Sequence, residues 1–143
     1  MLNLLFRLGI KQKATLQIER DAVDPAAIEA FFLRQGSTWG ARPEVVNRAN
    51  FGTTQLIDAV ADHCWREGPL TVSATFDEFN LDVTVSYSGD QIEFPVRRPS
   101  IEDIRKTDDG VRLLAGYLLR ENADRIQTER KGNQATVRFH FDH

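Results

Sequence analysis

Residues 55–92 read QLIDAVADHCWREGPLTVSATFDEFNLDVTVSYSGDQI and divide by their own periodicity into a helix, a hairpin and a glycine turn. Leu56, Ile57, Val60 and Cys64 recur at helical spacing, so one stripe of the first segment is apolar. Gly68 and Pro69 end that run. Leu70, Val72, Ala74 and Phe76 then alternate with polar residues, and Leu81, Val83, Val85 and Tyr87 do the same after the turn DEFN. A period of two, with one apolar face and one face of Thr, Ser and Asp, predicts paired strands covered on a single side. A striped helix and a one-sided sheet together predict an α+β fold in two layers.

Working upstream, Ala14, Leu16 and Ile18 alternate and predict a half-buried strand over residues 14–19. Asp24 followed by Pro25 marks a helix start, because Asp caps free N–H groups and proline suits the first helical position. That helix turns Ile28, Phe31 and Phe32 inward and is expected to stop near Gly36, with STWGARP as a loop. Pro43 opens a further helix through Val45, Val46 and Ala49, which Gly52 is expected to separate from the helix at 53–66. Downstream, Pro95 and Pro99 predict a loop, and Ser100 with Asp103 forms a capping box. A helix at about 109–123 buries Val111, Leu114, Ala115, Leu118 and Asn122. A closing hairpin over 125–141 turns at Lys131, Gly132 and Asn133, with Val137, Phe139 and Phe141 inward.

The chain has 143 residues, 41% of them apolar, which is enough for one self-sufficient core. A formal charge of -3 argues against a nucleic-acid binder working through bulk charge. Cys64 is the only cysteine, so no internal disulfide forms. The opening MLNLLFRLGI is apolar but far short of the roughly 20 residues that span a bilayer. Followed by Lys11 and Lys13, it reads either as the cytoplasmic exit of a membrane helix or as a short element packed on the domain.

Chemistry-bearing clusters are sparse. Asp62, His63 and Cys64 are consecutive, so on a helix they point apart and cannot act as nucleophile, base and orienter. The closing His140, Asp142 and His143 read as surface residues, and Arg97 with Arg98 as a solvated loop.

Laid without gaps, residues 55–92 resemble the nucleotide site of the GHKL (histidine-kinase-like, Bergerat-type) ATPases. The helix motif N/E-x-x-x-N falls on Gln55 and Ala59. The D-x-G-x-G turn falls on Tyr87, Gly89 and Gln91, and the later G-x-G on Gly110 and Arg112. The resemblance implies a two-layer α/β sandwich over residues 13–143, with residues 1–12 as a juxtamembrane or N-terminal segment. It implies a mixed, mostly antiparallel sheet covered by helices on one face. It also exposes what is missing. Ala59 offers Mg²⁺ no oxygen, Tyr87 cannot replace the adenine-binding carboxylate, and the Arg112 side chain would fill the space of a phosphate. The seven positions are therefore expected to form a degenerate nucleotide pocket or small-ligand site, with no catalytic residue, metal or cofactor.

The wording NLLFRLGI at 3–10, GSTWGAR at 36–42, FDEFNLDVTVSYSG at 76–89, RRPS at 97–100 and FHFDH at 139–143 is similar to the cytoplasmic C-terminal region of bacterial xanthine/uracil permeases, nucleobase:cation symporter type 2. This resemblance implies a non-catalytic regulatory or interaction domain of a nucleobase transporter on the cytoplasmic face of the inner membrane. Its partners would be the membrane portion of the same transporter, a nucleobase ligand and a second copy, with no nucleic acid. The rival readings are a stand-alone anti-sigma-factor-like serine kinase using ATP and a soluble protein-binding module.

Overall fold

The computed structural model describes residues 11–106 and 108–143, without the side chains of His63, Asp108, Asp109, Val111 and Arg112. The two readings of residues 1–10 lie outside the described residues. Elements follow in the order β1 (Gln12–Ile18), α1 (Pro25–Trp39), α2 (Pro43–His63), β2 (Trp65–Phe76), β3 (Asn80–Gly89), α3 (Ile101–Lys106), α4 (Asp108–Asn122), β4 (Arg125–Lys131) and β5 (Gln134–Asp142). The five strands form one sheet in the order β1-β2-β3-β5-β4, and each neighbouring pair is antiparallel. The expected mixed sheet is thus corrected to a wholly antiparallel one. The hairpins β2–β3 and β4–β5 reverse at their short turns, and the long connections before β2 and after β3 also return β1 and β5 antiparallel to their partners.

Alternation sets the layers as expected. Leu70, Val72, Ala74 and Phe76 of β2 are buried with Leu81, Val83, Val85 and Tyr87 of β3, and with Ala135, Val137, Phe139 and Phe141 of β5. Across this face pack Ile28 and Phe32 of α1 and Leu56, Ile57 and Val60 of α2, in one apolar core. The other face carries rows of polar side chains in register, such as Ser73, Thr84 and Arg138. The outermost strand β4 holds only Ile126 half-buried and is otherwise exposed. Among the described residues, no helix is long and apolar enough to cross a membrane.

Helix boundaries test the punctuation residues. Asp24 caps α1 by accepting from Ala26 N at 3.0 Å, as the Asp-Pro pair predicts. Gly36, however, does not end the helix. It is buried inside α1, where an added Cβ would lie 2.7 Å from Val46 Cγ2, so it serves the close approach of α1 and α2. Gly40 is the C-cap instead, left-handed at φ 69, with its N–H on Gly36 O. Likewise Gly52 does not split α2. Its missing side chain makes room for Asn122 Nδ2, 2.8 Å from an added Cβ, and Asn122 donates to Arg48 O at 2.8 Å. The capping box at α3 is present: Asp103 N donates to Ser100 Oγ at 3.1 Å and Ser100 N to Asp103 Oδ2 at 3.2 Å.

The His143 ring joins the α1–α2 loop to the β2–β3 turn. Arg42 N donates to His143 Nε2 at 2.8 Å, so that nitrogen bears a lone pair. Nδ1 then carries the proton and donates to Glu78 O at 3.0 Å. The ring also meets Phe76 edge-on, at 4.9 Å between centroids, with Trp39 stacked on Phe76.

Candidate functional site

The end of β3 is built by the step from α2 into β2. Cys64 closes α2, with its N–H on Val60 O, and Trp65 begins β2 opposite Gly89. The register between β2 and β3 breaks twice, between Trp65 and Glu67 and between Glu67 and Thr71. Such bulges re-aim the strand that carries them. Trp65 Nε1 donates to Gly68 O at 2.9 Å across the bulged segment.

Tyr87 is fully buried in the same row as Val83 and Val85. Its hydroxyl donates to Asp90 O at 2.6 Å. Burial first, and then the nearby Cys64 and Asp90, push its phenol above the ordinary range, so it stays protonated as this donation requires. Gly89 is pinned by N–H donation to Asn133 O at 2.8 Å. A Cβ at Gly89 would lie 1.8 Å from Cys64 O. Gln91 donates from Nε2 to Thr128 Oγ1 at 3.0 Å and so covers β4.

The remaining candidates sit in other surroundings. Gln55 is exposed on α2, whereas Ala59 is half-buried and packs against the core. Gly110 is buried in the first turn of α4, where an added Cβ would lie 2.0 Å from Asp103 O. Arg112 belongs to α4, and the expectation for its side chain lies outside the described residues. Tyr87, Gly89 and Gln91 are therefore gathered at one sheet end, while Gly110 serves the packing of α4 on α3. The Gln55 and Ala59 positions follow the ordinary exposed and inward faces of α2.

Beside Gly89 lies a half-open cavity of about 330 Å³ lined by Arg66, Glu67, Ser88, Gly89, Asp90, Arg130 and Asn133. Arg66 and Asp90, both on its lining, form an ion pair. Of these residues only Gly89 was a site candidate in the sequence, and Asn133 was marked only as a turn residue. The arginines belong to strands distant in the chain, and no local spacing announces their meeting.

A second cluster was legible but misread. Residues two apart on a strand share a face, so His140 and Asp142 belong together. His140 Nδ1 lies 2.7 Å from Asp82 Oδ1 and Nε2 lies 2.9 Å from Asp142 Oδ1, with only 14% of the ring side chain exposed. It is not the surface residue the sequence suggested. Asp142 N donates to Asp124 Oδ2, and Arg48 reaches Asp124 Oδ1 at 3.5 Å. Burial and the nearby Arg125 oppose charge on the imidazole, but the hydrogen bonds it makes to Asp82 and Asp142 and the Asp82 charge outweigh them, so the pKa is raised. A raised folded pKa stabilises fully below the unfolded value of about 6.5 and loses that stabilisation as pH rises through the folded value. The difference in urea midpoint between the parent and His140→Asn should accordingly be largest below about pH 6.5 and shrink as pH rises above it. A gap constant across that range would show that the imidazolium contributes nothing.

Comparison of the chain with protein-family models and with curated proteins finds no match to either. Among the described residues, no group of three or more His, Cys, Asp or Glu side chains is arranged to hold a metal ion.

Proposed function

We propose that this chain is a non-catalytic regulatory or interaction domain with a degenerate GHKL-like fold, carried on the cytoplasmic face of the membrane by a bacterial nucleobase transporter. The observation that carries the non-catalytic part is the filling of the two glycine positions. A nucleotide site of this kind uses missing side chains to let a base and phosphates approach the backbone. Here the space beside Gly89 is taken by Cys64 O and that beside Gly110 by Asp103 O. Tyr87, at the position of the adenine-binding carboxylate, is buried with its hydroxyl spent on Asp90 O. The attachment to a transporter rests on the resemblance in wording, and an interaction role is supported by the polar sheet face, across which no helix packs among the described residues.

The partners on this reading are the membrane portion of the same transporter, a second copy and a nucleobase ligand. Calorimetric titration with Mg-ATP, ADP, xanthine and uracil tests it. No heat is expected with Mg-ATP or ADP. Saturable heat with Mg-ATP would restore the serine-kinase reading. Saturable heat with xanthine or uracil alone would make the domain a sensor of the transported base.

A further inference from the structure

We propose that the cavity between Arg66 and Arg130 is an oxyanion site for a small ligand with a singly charged carboxylate or phosphate head. This goes beyond the transporter reading and does not depend on it. The charges around the cavity decide the ligand class. Arg66 is already offset by Asp90. Arg130 donates from Nε to Gly132 O at 3.0 Å, and among the described residues no carboxylate pairs with its guanidinium. Its two terminal nitrogens are left to donate, and their planar fork matches two oxygens of a carboxylate or phosphate.

Neutral groups complete the lining. The Ser88 hydroxyl is held only at 3.3 Å by Gln134 Oε1, and Asn133 also lines the cavity. Backbone donors do not contribute, because Gly89 N is spent on Asn133 O and Asp90 N on Cys64 O. Those same bonds fix the floor of the cavity. Glu67, also on the lining, opposes further negative charge and selects a monoanion over a dianion. A volume of about 330 Å³ fits such a head with a small body, at the lower end of the range for small-molecule sites.

The test is amide and guanidinium NMR of the whole chain titrated at low ionic strength with sodium phosphate and, separately, with sodium acetate. Saturable shifts at Gly89, Arg130 and Asn133 in the millimolar range are expected, and whichever salt binds tighter identifies the head group. R130Q should weaken binding about tenfold. D90N, which frees Arg66 and removes a negative charge, should tighten it severalfold. Both variants alter partly or fully exposed side chains, and a thermal melt of each verifies the fold. Linear shifts without saturation to about 50 mM in both titrations would overturn the site, as would R130Q titrating like the parent. D90N binding no tighter than the parent would overturn the two-arginine arrangement.

Discussion

Replacing Gly89 with alanine is expected to destabilise the domain by roughly 3 kcal/mol or more, a large part of the stability of a chain this size. The new methyl would lie 1.8 Å from Cys64 O. That oxygen cannot retreat at little cost, because it accepts Asp90 N–H at 2.9 Å and belongs to the residue leading into fully buried Trp65. Gly68→Ala provides the control. Gly68 has φ 70 and open space around its missing side chain, so only backbone conformation is penalised, at about 1 kcal/mol. Urea unfolding of both variants measures the difference. Equal losses would mean that the β2–β3 end yields easily and that the close approach at Gly89 is not what fixes it.

A carboxylate at position 87, where the GHKL resemblance would put the adenine-binding Asp, is expected to unfold the domain before it binds anything. Tyr87→Asp removes a fully buried ring, leaves a cavity and puts a carboxylate into the buried apolar row of Val83 and Val85, at a cost of roughly 4 kcal/mol or more. Tyr87→Phe keeps the ring and loses only the bond to Asp90 O, for about 1 kcal/mol. The Tyr87→Asp/Ala59→Asn double variant should therefore gain no affinity for Mg-ATP. Thermal melts of the three variants, with and without Mg-ATP, decide the point. A double variant that folds and is stabilised by Mg-ATP would mean the pocket had lost its ligands but kept its shape.

Where periodicity was strong, the fold could be read directly. Alternation in β2, β3 and β5 located the buried face, and the Asp24-Pro25 and Ser100-x-x-Asp103 signals marked real helix starts. Punctuation by glycine was less reliable, because Gly36 and Gly52 owe their identity to side chains of neighbouring helices rather than to a break in their own helix. A single residue type serves both purposes, and only packing tells them apart. The wholly antiparallel sheet was also hidden, since strand direction depends on partners and not on local pattern. The arginine cavity arises from three separate segments, so no window of sequence contains it. The His140 pair was within reach, because its spacing alone puts His140 and Asp142 on one face.

The strand order leaves β1 and β4 as the outermost strands, and β4 reads RIQTERK. Four of its seven side chains are ionic and all but Ile126 are exposed. A neighbour adding to that margin would bring its own charges against this row, which is how sheets avoid unwanted extension. Growth into a continuous ribbon through β4 is thereby discouraged. Copies crowded together would be kept from fusing their sheets along this margin.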